Sequence, residues 1–222
     1  MIAQSQLLQL WPQADKITPG LTSAVAKSAP VVFPRYGWST DALVAIAIAQ
    51  FSLEFGAGTE MLENMSYSAQ RMCEVWPSRF PTLVSAEPYE HNPQALANKV
   101  YNGRMGNRQG TNDGYDYRGH GLAQLTGMSE FLAVRKLTGI DVVANPSLAC
   151  APDTALEVAV AVLTVDGCLP YARQGNFRMV TQRLNGGQTG EADRLVWWAR
   201  TRRVMGITNP AAGPGVKLRI AA

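Results

Sequence analysis

Two glutamates nine residues apart, Glu54 and Glu63, are the side chains in this chain best placed to do chemistry. Glu54 ends a strongly apolar run, Leu43 to Phe51, and is flanked by Phe51, Leu53 and Phe55. Desolvation there disfavours a bare negative charge, so an acid held in its protonated form is expected. On an unbroken helix, nine steps of about 100° would put the two carboxyls on opposite faces with ~13 Å of rise between them. Gly56-Ala57-Gly58 removes that obstacle, because glycine takes the left-handed conformation that ends a helix and lets the chain turn back. Two carboxyls roughly 6.5–9.5 Å apart across a cleft suit inverting glycoside hydrolysis, one as acid and one as base, with a water between base and sugar. Glutamates near glycines are common, so this pair gains meaning only from the residues around it.

The elements that must position these side chains are helical. Ser39 and Thr40 are good N-caps, Asp41 suits the positive end of a helix, and the following run is apolar on nearly every face, predicting a buried central helix. Ahead of it, residues 4–11 read as a short helix stopped by Pro12. A second helix runs from Thr18-Pro19 to about Lys27, and Pro30, Pro34 and Gly37 punctuate a connection. Ser66 to Val75 reads as helix, and Asn92-Pro93 opens another to about Asn102. Residues 103–121, rich in Gly, Arg, Asn and Asp, read as a structured polar loop outside the core, with at most a small β-hairpin. Helices follow over 129–137, over 154–166 capped by Asp153, over 177–184, and over 191–204. The fold expected is mainly α, of the α+β lysozyme-like kind, with two helical lobes flanking a cleft. One catalytic domain spans 1–205, and 206–222 form a flexible tail.

Composition narrows the function classes. A chain of 222 residues with 46% hydrophobic residues can bury a real core. No apolar run reaches the ~20 residues needed to span a bilayer, so no stable membrane insertion is expected. The first residues lack a basic start, an apolar core and a small-residue cleavage site, so a signal peptide is not expected. Cys73, Cys150 and Cys168 form no disulfide framework, and with His91 and His120 they match no metal-ligand spacing, so neither metal nor cofactor is expected. A net charge of +3 is too small to indicate nucleic acid as a partner. Arg194, Arg200, Arg202 and Arg203 alternate with Trp197 and Trp198 as a packed helix with a cationic face would, and that face suits anionic wall or membrane polymers.

Five ordered phrases then carry a resemblance. They are Ala49-Gln50 with Glu54; Glu63-Asn64 with Tyr67-Ser68; Ala97-Asn98 through Tyr101 and Arg104 to Asn107; Asp113 through Tyr117-Arg118-Gly119 and Gln124-Leu125-Thr126-Gly127; and Asn185-Gly186-Gly187-Gln188. Together they resemble the phage endolysins related to glycoside hydrolase family 19, the chitinase family, over at least residues 49–188. The resemblance implies a lysozyme-like fold and hydrolysis of β-1,4-linked amino-sugar polymers with inversion. It makes Glu54 the general acid, Glu63 the general base, and Thr126 the hydroxyl that holds the attacking water. Gln124 and Asn185 become hydrogen-bonding partners of the sugar or its acetamido group. Tyr101 and Tyr117 offer flat faces to pyranose rings, and Arg194, on the substrate side, supports the region of the base.

Each role has a plainer counterpart: Thr126 as a helix cap, Asn185-Gly186 as a turn, the tyrosines as core, Arg194 as cover for a neighbour. The chain also departs from the family pattern, with Leu53 and Phe55 around the acid, Gly58 where an aromatic is common, His120 for Arg, and Glu130-Phe131 for an Asn-aromatic pair. The function expected is a monomeric endolysin that cuts bacterial peptidoglycan, held in the host cytoplasm until released to the wall. The alternatives are a chitinase acting on chitin oligomers and a catalytically impaired glycan-binding protein.

Overall fold

The computed structural model describes residues 1–187 and 190–208. Most of the tail over 206–222, and Gln188 of the fifth phrase, therefore lie outside the described residues. The chain winds through α1 (Gln4–Leu10), α2 (Ala14–Ile17), α3 (Leu21–Arg35), α4 (Asp41–Glu54), α5 (Ala69–Val75), α6 (Leu83–Ala86), α7 (Pro93–Tyr101), α8 (Asp113–Asp116), α9 (Met128–Thr138), α10 (Pro152–Val165), α11 (Leu169–Arg173), α12 (Phe177–Asn185) and α13 (Glu191–Val204). Among the described residues the β-structure amounts to two isolated antiparallel bridges, Leu62 with His120 and His120 with Leu125.

Helix α4 is the axle. Thr40 caps it by accepting from the Leu43 amide at 3.3 Å, and every residue from Leu43 to Ser52 is buried. An element buried all round needs partners on all sides, and α13, α10, α11 and the turn after α4 supply them. Helix α3 lies along α10 and runs through Pro30 and Pro34 instead of stopping near Lys27. Both prolines are exposed, so the backbone bonds they forfeit lie on the solvent side, while Leu21, Val25, Ala29, Val32 and Phe33 are buried on the other. Packing outweighs the propensity cost there. At α10 the expected Asp153 cap is displaced: Ala151 is the N-cap, Pro152 follows in the first turn, and Asp153 lies inside it.

Two separate cores define two lobes. The larger joins α1, α3, α4 and α10 around Trp11, Phe33, Phe51, Phe55 and Phe131. The smaller is built from Met65, Ala69, Met72, Phe80, Leu96 and Val100, with Tyr67, Trp76, Tyr89, Tyr101 and Tyr115 against it. The polar stretch 103–121 is not peripheral as composition suggested. Asn107, Asp113, Tyr117, Arg118 and His120 are all buried, because the stretch satisfies its own polar groups. Arg108 donates twice to Asp113 at 2.9 Å, and Asn102 and Asn98 accept from the amides of Gly114 and Tyr115 at 2.7 and 2.9 Å. The Arg108 guanidinium holds the Asp113 carboxyl down at about 2. No helix among the described residues is long and apolar enough to cross a membrane.

Candidate active site

Glu54 is the last residue of α4. Phe55 turns into the core and meets the Trp11 ring edge-on at 4.8 Å, and the Trp11 indole donates to Ser52 Oγ at 2.8 Å. Phe55 therefore anchors the helix end. The chain reverses through Gly56, Ala57 and Gly58, at φ of 58°, 52° and 105°. A side chain on Gly58 would place its Cβ 2.7 Å from Ala14 Cα, which explains why an aromatic has no room at this position.

The Glu54 carboxylate does not sit in an apolar pocket. Its Oε1 accepts from Arg194 Nη2 at 2.5 Å, Arg194 Nη1 donates to Gln50 Oε1 at 2.6 Å, and Gln50 Nε2 donates to Thr181 Oγ1 at 2.9 Å. Gln50 and Glu54 are one turn apart on one face of α4, and Arg194, 3% exposed, reaches both from α13. The resemblance assigned Arg194 to the base region. The packing of α13 along α4 instead pairs it with Glu54.

Glu63 lies where the two lobes meet, and each lobe holds one of its oxygens. Tyr101 of α7 donates its hydroxyl to Oε1 at 2.7 Å, and the Gly119 amide donates to Oε2 at 3.0 Å. Burial, reinforced by the negative charge of Glu63, pushes the Tyr101 phenol well above its ordinary range, so it remains a donor. The Glu63 amide donates back to Gly119 O at 2.8 Å. A Cβ on Gly119 would lie 2.4 Å from Gln124 Oε1 and 3.2 Å from Glu63 Cβ, so a side chain there would have to push the Gln124 amide from its place beside Glu63. His120 ties the frame together. Its backbone exchanges hydrogen bonds with Leu125 at 3.0 and 2.9 Å and bridges to Leu62, fixing the Glu63 segment against the Thr126 segment. Its ring is buried edge-on to Phe131, and burial lowers its pKa to about 4; the neutral ring meets Arg118 O through Nδ1 at 2.5 Å.

Gln124, at φ 50°, donates Nε2 to the carbonyls of Glu60 and Gly121 at 3.0 and 3.1 Å. With Glu60, Glu63, Asn64, Ser66 and Tyr67 it lines a cavity of about 250 Å³. Thr126 is not a helix cap. Its hydroxyl donates to Gln124 O at 2.7 Å, which leaves its oxygen lone pairs to accept. The Thr126 amide donates to Glu130 Oε2 at 3.0 Å. Tyr117 belongs to the core instead of a sugar platform: it is 8% exposed, its ring meets Phe131 at 4.9 Å, and its hydroxyl donates to Val143 O at 3.1 Å. Tyr101 is likewise engaged through its hydroxyl with Glu63. Asn185 is exposed at the end of α12, followed by Gly186 in the left-handed conformation.

Residue types alone did not single out Gln50, His120 or Glu130 as parts of the site. The available signals were a buried amide one turn before Glu54, and a glutamate four residues beyond Thr126.

The two-lobed helical body, with Glu63 held where the lobes join, has counterparts among solved structures. The chain superposes on chitinase C from Streptomyces griseus HUT6037 with a TM-score of 0.59 and 17% identity, covering 96% of this chain and 79% of that one. A mutant of chitinase C gives 0.59 at 16% identity, covering 96% and 95%. A bacterial family 19 chitinase gives 0.55 at 17% identity, covering 96% and 98%. No protein-family profile matches the sequence. A glycosyl hydrolase family 19 domain-containing protein of Haemophilus influenzae is 31% identical over 181 residues, 81% of this chain and 88% of that protein. The chain belongs to glycosyl hydrolase family 19, and is a glycoside hydrolase by family with a chitinase-like fold.

Proposed function

We propose that this protein is a phage endolysin that hydrolyses β-1,4 glycosidic bonds of bacterial peptidoglycan by an inverting mechanism, acting as a monomer without metal or cofactor. The observation that carries the reading is the grip on Glu63: two donors, one from each lobe, fix a carboxylate at the mouth of a polar cavity. Each carboxylate oxygen keeps a lone pair for a water proton. In this reading Glu63 takes the proton as base, and Thr126, its own hydrogen already committed to Gln124 O, accepts a hydrogen bond from the same water. Glu54, oriented by Arg194, gives a proton to the departing sugar oxygen. Gln124 Oε1 beside Glu63, and Asn185, are the amides offered to an acetamido group.

Peptidoglycan is favoured over chitin by the endolysin-like run from Tyr101 to Gly127, and the same resemblance supports storage in the host cytoplasm before release to the wall. A chitinase is the second reading, supported by the chitinases among the structural neighbours. Digestion of purified peptidoglycan and of chitin oligomers, with mass spectrometry of the new reducing ends, separates the two. Cleavage of peptidoglycan is expected, and Glu54→Gln and Glu63→Gln are each expected to lower kcat at least ~100-fold. Cleavage of chitin alone would move the assignment to chitinase, and full activity in either variant would remove the roles given to these residues.

A further inference from the structure

Arg194 reaches Glu54 from α13 on a long, flexible stem, and its grip on that carboxyl depends on what else holds the guanidinium. Among the described residues its Nε, though buried, meets no acceptor. Nη2 serves Glu54 Oε1 at 2.5 Å, and Nη1 serves Gln50 Oε1 at 2.6 Å. Gln50 is therefore the second point that fixes the fork. Chemistry dictates how its amide must lie. A guanidinium only donates, so the Gln50 oxygen faces Arg194 and the Gln50 nitrogen faces away. That nitrogen meets Thr181 Oγ1 of α12 at 2.9 Å, which makes the Thr181 hydroxyl an acceptor. Gln50 and Thr181 are fully buried and Arg194 is 3% exposed, so water does not replace a partner that is lost. One line of bonds thus joins Thr181 on α12, Gln50 on α4 and Arg194 on α13 to Glu54, a turn beyond Gln50.

We infer that Gln50 and Thr181 are positioning residues for the acid: Thr181 fixes the Gln50 amide, the amide fixes Arg194, and Arg194 holds the Glu54 carboxyl in place. This deepens the reading above and rests on the role it gives Glu54. Both residues are buried and act only through Arg194. The hold does not depend on the charge of Glu54. Arg194 bonds Oε1, and a carboxyl can accept at one oxygen while the other carries a proton, so Oε2 is the oxygen left to deliver it. Loss of any member of the line frees the fork to turn about its stem, and the carboxyl loses its fixed aim at the departing sugar oxygen. Sugar binding itself is untouched by such a loss, so the cost falls on turnover.

Kinetics on the glycan that the wild type cleaves, together with nitrogen NMR of the Arg194 side chain, test this. Gln50→Met keeps the volume and removes the acceptor; kcat should fall about tenfold with KM within about twofold of wild type. Thr181→Val keeps the shape and strands the amide nitrogen, and should lower kcat about threefold, whereas Thr181→Ser keeps the oxygen and should stay within about twofold of wild type. Thr181 stands one turn before Asn185 on α12, so a substitution that merely shifted this helix would disturb the sugar contact and raise KM instead. In the wild type the clamped guanidinium should give separate, slowly exchanging Nη signals, which should merge in Gln50→Met and exchange faster in Thr181→Val. A kcat for Gln50→Met within about twofold of wild type would overturn the inference. So would a loss in Thr181→Ser as large as in Thr181→Val, a rise in KM in place of the fall in kcat, or Nη signals that the substitutions leave unchanged. Should Gln50→Met fail to fold, the two Thr181 variants decide by the same criteria. The NMR result needs no turnover, so a wild-type protein that cleaves no glycan would sink the proposed function while the Nη signals still decided whether Gln50 and Thr181 hold Arg194.

Discussion

Replacing Arg194 by methionine tests the packing logic of the site directly. The side chain is 3% exposed, and two of its nitrogens serve two acceptors on α4: Glu54 at 2.5 Å and Gln50 at 2.6 Å. Methionine fills most of the volume but leaves a carboxylate and a buried amide oxygen without their donor. Removing one member of a buried ion pair costs about 3–5 kcal/mol, and since Glu54 retains 15% exposure the lower end, about 3 kcal/mol, applies. For a chain of this size that is a fall in Tm of roughly 6–12 °C. Urea unfolding of wild type, Arg194→Met, Glu54→Gln and the double variant completes the test. If the cost is the stranded charge, Glu54→Gln should relieve part of it, giving a coupling of at least about 1 kcal/mol. Stability of Arg194→Met within about 0.5 kcal/mol of wild type, or strictly additive effects, would refute the idea that this pair binds α13 to the acid.

Other consequences can be checked on the same material. A native carboxyl held at about 7 keeps its proton while the unfolded chain has lost it, so Glu130 contributes stability that is fully present below about pH 4.5 and is lost as pH rises toward 7. The loss is about 3 kcal/mol over that window, and Asp166, pushed up to about 6 by burial, acts in the same direction. Unfolding at pH 5 and pH 8 should show wild type losing stability relative to Glu130→Gln, and parallel changes would contradict the assignment. Gly58→Ala must add a methyl 2.7 Å from Ala14 Cα at a φ of 105°, and should destabilise by more than about 1 kcal/mol in thermal melts. Tyr101→Phe removes one of the two donors to Glu63; a kcat loss of about tenfold with nearly unchanged folding is expected, and unaltered kinetics would show that the phenol does not orient the base.

Legibility in the sequence followed the range of each interaction. The central helix, the glycine reversal after Glu54 and the helix start at Asn92 are all readable, because caps, apolar runs and left-handed glycines act within a few residues. The run from 103 to 121 was misplaced outside the core because composition cannot tell a polar group that meets water from one paired internally, as Arg108 is with Asp113. The exposed prolines in α3 mislead for a related reason: the sequence shows the lost backbone bonds but not the facing helix α10 that compensates. Tyr101 and Tyr117 looked alike, and only the arrangement of the lobes sends one hydroxyl to Glu63 and the other ring into the core. Arg194 and Glu54 are 140 residues apart, so their pairing is a property of packing alone.

Glu63 hangs from two hands that belong to different bodies, a phenol rooted in the small lobe and an amide rooted in the large one. Any rocking of one lobe away from the other would lengthen at least one of those bonds. A ligand that held the lobes apart would lose one of the two bonds on Glu63, and one that let them close would keep both.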